Sequence, residues 1–159
     1  MKNLSPRAKK ILMVLAQDEA RKIGSPQLLP EHVLLAILKS KEGLGYSALT
    51  ELGLDADKLQ QAVETYFRDD IHSPTLDTIP KSRRYQFMID IADIESSALH
   101  NNYIGTEHLL LAAIRDEGSV AAKFFNSEGY TIMDARFTVM ELQADGAAAF
   151  PQPGNSWML

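Results

Sequence analysis

The sequence has no cysteine among its 159 residues. Disulfides, thiolate nucleophiles and sulfur-ligated metals are therefore excluded. No apolar run approaches the roughly 20 residues that a membrane-spanning helix needs. The opening Met1-Lys2-Asn3-Leu4-Ser5-Pro6 also lacks the apolar core of a secretory signal. A cytoplasmic protein with no membrane partner is expected. Basic charge is sparse: 16 Lys and Arg stand against 21 Asp and Glu, for a net charge of −5. The dense basic cluster Lys81-Ser82-Arg83-Arg84 is too short to form the stripe that follows a phosphate backbone, so no nucleic-acid partner is expected. Catalytic signatures are missing as well. There is no phosphate loop of the G-x-x-x-x-G-K-[ST] type, no G-x-S-x-G elbow, no H-E-x-x-H and no G-x-G-x-x-G. The chain is expected not to be an enzyme, with no catalytic residue and no cofactor. His32, His72, His100 and His108 are scattered without helical ligand spacing, which argues against a metal site and for hydrogen-bonded histidines.

What is present is a globular mixture, 45% hydrophobic and 23% charged, that contains its own copy. Residues 31–38 read Glu-His-Val-Leu-Leu-Ala-Ile-Leu, and 107–114 read Glu-His-Leu-Leu-Leu-Ala-Ala-Ile, 76 positions later. The same shift carries Ala16 onto Ala92, Glu19 onto Glu95, Arg7 onto Arg83 and Gly53 onto Gly129. It also pairs Ile11 with Phe87, Leu28 with Ile104 and Leu54 with Tyr130, all apolar.

Each copy reads as four helices. Leu12, Leu15, Ala16, Ala20 and Ile23 recur at three- and four-residue spacing, after a possible Ser5 cap with Pro6 behind it. Gly24-Ser25-Pro26 ends that helix. The next helix, about 31–40, is apolar nearly all round and should lie at the centre. Gly43 and Gly45 are expected to break the chain before a third helix at about 46–52. Asp55 should cap a fourth, with Leu59, Ala62, Val63, Tyr66 and Phe67 inward. In the second copy Tyr85, Met88, Ile89, Ala92 and Leu99 line the first helix, and Thr106 is expected to cap the second. Val120, Phe124 and Phe125 anchor the third, and Thr131 opens the fourth, whose inward residues are Ile132, Ala135, Val139 and Leu142. No segment alternates long enough for a strand. The expected architecture is all-α: two tandem four-helix repeats forming one pseudo-twofold eight-helix domain over 1–143. Repeat one covers about 4–68, a linker 69–80, and repeat two about 81–143, with a flexible tail or linker at 144–159 that closes on Trp157-Met158-Leu159.

Glu31 and Glu107 are the most informative polar residues. A carboxylate in a first helical turn is stabilised by the helix dipole, by about 0.3–1 kcal/mol. Recurrence in both copies fits a structural or a binding role equally. A glycosidase-like acid–base pair would need both in one cleft, whereas a duplicated fold places equivalents on separate faces.

These stretches resemble a known family. Ser5-Pro6-Arg7-Ala8, Ala16…Ala20, Pro30-Glu31-His32-Val33-Leu34-Leu35-Ala36 and Leu49-Thr50-Glu51-Leu52-Gly53-Leu54 are similar to the Clp N-terminal domain at the front of ClpA-, ClpB- and ClpC-type ring ATPases. Ser82-Arg83-Arg84, Ala92, Gly105-Thr106-Glu107-His108-Leu109-Leu110-Leu111-Ala112 and Phe125…Gly129-Tyr130 repeat the pattern, most like ClpC. The resemblance implies a docking domain, monomeric when isolated, that receives protein substrates and adaptors for an ATP-driven unfolding ring. The ring would lie in the same chain, or in another chain served by a free-standing adaptor or regulator. It further implies phosphoarginine binding at Glu31 with Ser5 and at Glu107 with Ser82. Ser5 lies 26 residues before Glu31, and Ser82 lies 25 before Glu107.

Overall fold

The computed structural model describes residues 2–68 and 78–149. A two-residue strand β1 (Asn3–Leu4) leads into α1 (Pro6–Lys10), which continues through a π-helical turn (Ile11–Leu15) into α2 (Ala16–Ile23) as one rod. Then follow α3 (Pro30–Ser40), α4 (Gly43–Glu51) and α5 (Ala56–Arg68). The second copy comprises α6 (Arg83–Ala98), β2 (Tyr103–Ile104), α7 (Thr106–Arg115), α8 (Val120–Ser127) and α9 (Ile132–Ala149). The fold is all-α, four helical rods per repeat.

Local chemistry sets the ends. Ser5 Oγ accepts from Ala8 N at 3.1 Å, and Ser82 Oγ accepts from Tyr85 N at 3.1 Å, so the two serines cap equivalent helices. Gly24 ends α2 in the left-handed region at φ 72°, as the sequence implies. Asp55 Oδ1 accepts from Asp57 N and Lys58 N and caps α5. Thr131 and Asp134 cap α9 reciprocally.

The capping serines are 77 positions apart, whereas Ala16 and Ala92, both fully buried, are 76 apart. The π turn lies between these two registers and absorbs one extra residue, as a widened turn does. Two sequence pairings change as a result. Ile11 (1% exposed) corresponds to buried Met88, not to Phe87, which is 65% exposed. Arg7 corresponds to Arg84, not Arg83. Leu28 and Ile104, beyond the turn, keep the 76-residue register and are both fully buried.

Short backbone pairings that the sequence did not announce bind the copies crosswise. β1 of repeat one pairs in parallel with β2 of repeat two, and Ser5 N donates to Ile104 O at 2.8 Å. In return, Leu28 of repeat one bridges Lys81, with Leu28 N donating to Pro80 O and Ser82 N to Leu28 O. At two residues these strands are too short to show a period-2 pattern. The end of the expected linker is also held. Gln17 Oε1 accepts from Ile79 N at 2.9 Å, and Gln17 Nε2 donates to Ile79 O at 3.2 Å. Residues 69–77 lie outside the described residues.

α3 and α7 sit between two shared cores, which is why they are apolar all round. Val33, Ala36 and Ile37, with Leu109 and Ala112, face a core that includes Ile11, Leu12, Ala16, Met88 and Ala92. Leu34, Leu35 and Leu38, with Leu110, Leu111 and Ile114, face a second core that includes Leu49, Leu59, Val63, Phe125 and Val139. Both cores draw on both repeats. Burying each of the Val, Leu, Ile, Met and Phe side chains among them contributes about 1.5–3 kcal/mol.

Four details depart from expectation. Gly43 and Gly45 do not precede the third helix but form its first turn. Gly45 permits close approach to α7: its N donates to Thr106 Oγ1 at 3.0 Å, and a Cβ there would lie 2.7 Å from Thr106 O. Thr106 is thus engaged across the repeats, and Gly105, not Thr106, caps α7. Tyr66 is 45% exposed rather than inward, because the buried α5 stripe runs Leu59, Val63, Phe67 at four-residue steps. Finally, α9 continues through 144–149, where alanine-rich sequence favours helix. The rest of the expected tail, with Trp157-Met158-Leu159, lies outside the described residues.

Candidate functional site

The Glu-His motif is built the same way at both central helices. His32 Nδ1 accepts from Leu29 N at 2.9 Å, and His108 Nδ1 accepts from Gly105 N at 2.8 Å. Each histidine therefore closes the first turn as an N3 capping residue. The acceptor role fixes the proton on Nε2, which points to Ser25 Oγ in one copy (3.0 Å) and Asn101 Oδ1 in the other (2.7 Å). Both rings are fully buried, and burial holds His108 below the usual histidine range. These histidines are structural.

The adjacent glutamates sit in like places and find unlike partners. Glu31 is 2% exposed, and both oxygens accept from Arg84, at 3.0 Å from Nη1 and 2.9 Å from Nη2. Arg84 is also tied to Asp116 Oδ2, at 2.8 and 3.2 Å. Hydrogen bonding to Glu31 raises the Arg84 pKa far above its ordinary value, against a lowering by burial. Glu107 is equally buried, but its Oε2 accepts from the Tyr103 hydroxyl at 2.8 Å and Gln143 Nε2 at 3.1 Å, both neutral donors. Burial first, then the Glu107 charge, pushes the Tyr103 hydroxyl well above its ordinary pKa.

Gly105 helps to explain the difference. A Cβ at this position would lie 2.9 Å from Glu107 Cδ and closer still to Oε1. The Gly105 φ is −107°, so space rather than backbone freedom requires glycine here. Leu29 holds the equivalent position in repeat one and carries that Cβ, which bars Glu31 from the same placement.

The two serines reach these sites crosswise. Through Ser5 N on Ile104 O, Ser5 is tied to the segment before Glu107; through Ser82 N on Leu28 O, Ser82 is tied to the segment before Glu31. The sequence pairs Glu31 with Ser5 and Glu107 with Ser82, whereas these backbone bonds tie each serine to the segment before the other repeat's glutamate. Both hydroxyl oxygens already accept a capping bond, which leaves each hydroxyl proton for a further acceptor.

Sequence reasoning missed Arg84, Tyr103 and Gln143. The basic cluster was the one available signal for Arg84. Beside its fork opens a groove whose lining includes Pro30, Arg83, Phe87, Met88, Ile91 and Ala112, apolar with a cationic rim. Farther along α6, Glu95 (1% exposed) takes Arg115 at 2.9 Å and Arg136 at 2.8 Å. Burial pushes its carboxyl up, but the two arginines outweigh that and hold it below the usual range. Among the described residues no helix is long and apolar enough to cross a membrane.

The chain is 36% identical over 137 residues to "Negative regulator of genetic competence ClpC/MecB" of Bacillus subtilis, covering 86% of this chain and 16% of that protein. It is 32% identical over 150 residues to "Chaperone protein ClpB" of Oceanobacillus iheyensis, covering 94% of this chain and 18% of that protein. The chain thus spans less than a fifth of either relative. Among solved structures it matches the Hsp104 N-terminal domain from Candida albicans with a TM-score of 0.72 at 20% identity, covering 89% of this chain and 92% of that one. It also matches a ClpV N-domain solved in complex with a VipB peptide, with a TM-score of 0.64 at 17% identity, covering 87% and 88%. The family described as "Clp repeat (R) N-terminal domain" matches residues 3–128, and the chain belongs to it.

Proposed function

We propose that the chain is the non-catalytic docking domain of a Clp-family ATP-dependent unfoldase, receiving protein substrates and adaptors in a cytoplasmic setting. In its finer form, an arginine side chain of the incoming protein, marked by phosphorylation, pairs with a carboxylate of the Glu-His motif. A serine hydroxyl from the other repeat then stands near the phosphate: Ser5 near Glu107, Ser82 near Glu31. The carrying observation is the pair of like-placed, 2% exposed glutamates in the first turns of α3 and α7. A carboxylate matches a guanidinium fork, and a helix N-terminus suits an anion. Arg84 on Glu31 is an example of that fork within the chain itself. Support for peptide docking comes from the ClpV N-domain with its VipB peptide and from the groove beside Phe87.

The test is fluorescence anisotropy with a labelled unfolded peptide carrying phosphoarginine, against the same peptide unphosphorylated. Tighter binding of the phosphorylated form, lost in the Glu31→Gln/Glu107→Gln double variant, is expected. Undiminished binding by the folded double variant rules out the carboxylate pockets. Calorimetry with ATP is expected to show no micromolar binding by the chain alone.

A further inference from the structure

The two motif glutamates are equivalent in sequence and in position, yet only one is neutralised. Glu31 receives both terminal nitrogens of Arg84, and Asp116 holds that guanidinium from a second side. Arg84 lies two residues after the Ser82 cap, as Arg7 lies two after the Ser5 cap. Arg7 could play the same part at Glu107 but pairs with Glu42 instead. Among the described residues no lysine or arginine nitrogen lies within ion-pair distance of Glu107; only the Tyr103 hydroxyl and the Gln143 amide reach it. A buried carboxylate served only by neutral donors gains more from an arriving cation than one already forked by arginine.

We infer that Arg84 occupies, in repeat one, the seat that an incoming arginine side chain takes in repeat two, so that Glu107 is the receiving carboxylate and Glu31 the closed one. This rests on the docking reading above and adds that the duplicated domain is functionally single-sited. Gly105 and Gln143 mark the open site: glycine lets the carboxylate fold back, and the amide is a neutral donor that an incoming guanidinium replaces. Leu29, Arg84 and Asp116 mark the closed one. An arginine-bearing ligand enters repeat one only when the Arg84 fork lets go, and weakening Asp116 makes that easier.

The experiment is calorimetric titration of the full chain with free phospho-L-arginine. The wild-type chain is expected to take one equivalent, which Glu107→Gln removes and Glu31→Gln leaves. Arg84→Gln is expected to take two. In the Glu107→Gln background, adding Arg84→Gln restores binding by at least about ten-fold, and adding Glu31→Gln abolishes it again. Because Arg84→Gln leaves Glu31 without its cation, far-UV circular dichroism checks the fold. Asp116→Asn, which loosens Arg84 while keeping the fork, provides the second variant and is expected to reveal a weaker second equivalent. Two equivalents in the wild type, a single equivalent that depends on Glu31, or no second equivalent in either folded variant overturns the inference and leaves the docking reading standing. No uptake by the wild type or any variant overturns that reading and the inference together.

Discussion

Gly45 N donates to the Thr106 hydroxyl at 3.0 Å, and α4 there lies so close to α7 that a Cβ on Gly45 would meet the Thr106 carbonyl oxygen at 2.7 Å. Backbone cannot give way as a flexible side chain can. Gly45→Ala is therefore expected to destabilise the chain by about 1–3 kcal/mol through overpacking. Gly146, exposed on α9 with nothing near its Cβ position, is the opposite case. Gly146→Ala should stabilise by about 0.5–1 kcal/mol through helix propensity. Urea midpoints for the two variants check both signs. An unchanged midpoint for Gly45→Ala contradicts the close approach.

The π turn should be removable. Met13 is 60% exposed within it, and the rod on either side already has the register of α6. Deleting Met13 is expected to convert the turn to α-helix and cost little, within about 1 kcal/mol. Deleting Asp90 from α6, which has no spare residue, slips one face of the helix out of the core and should prevent cooperative folding. Equal damage from both deletions would falsify the register account.

Acid should weaken the fold through His108. Its folded pKa lies below the unfolded value because burial disfavours the charged ring. The unfolded chain therefore binds the proton more readily, so the stabilisation is complete above the unfolded pKa of about 6.5 and is lost as pH falls below it. Protonation also sets Nδ1–H against the Gly105 N–H that it now accepts from. Tm is expected to fall between pH 7 and pH 5, and the fall should be shallower in His108→Gln. An identical slope in the variant removes His108 from the explanation.

The central helices carry the largest apolar stake. Leu34 is 3% exposed and Leu110 is fully buried, at like positions in α3 and α7. Truncating either to alanine should cost about 2–5 kcal/mol. A cost near zero at one of them would mean that the core is not shared between the repeats as described.

How much of this the sequence carries differs by element. The central helices were legible because a run such as Val33-Leu34-Leu35-Ala36-Ile37-Leu38 has no polar face, and such a helix must be covered on both sides. The repeat was legible from the Glu-His stretches alone. The π turn left one trace, the 26- against 25-residue spacing from serine to glutamate, but spacing alone does not say where an extra residue is stored. The crosswise pairing left none: Leu4 and Ile104 are isolated apolar residues a hundred positions apart. Gly43 and Gly45 read as breakers because local propensity registers glycine's freedom; Gly43 does use that freedom, at φ 90°, but within the first turn of α4, whereas the use of Gly45 is steric and depends on a neighbouring helix. Glu31 and Glu107 were found as a pair. Their unlike environments depend on Leu29 against Gly105 together with Arg84 at one and Gln143 at the other, residues whose meaning appears only once the carboxylates are folded against them.

The most direct test follows backbone and side-chain amide resonances of the isotopically labelled chain while a phosphoarginine-bearing peptide is added. The account predicts saturable shifts centred on Tyr103, Gly105, Glu107 and the Gln143 side-chain amide, with the resonances around Glu31 little changed. Shifts confined to surfaces away from both glutamates, or none at saturating peptide, contradict it.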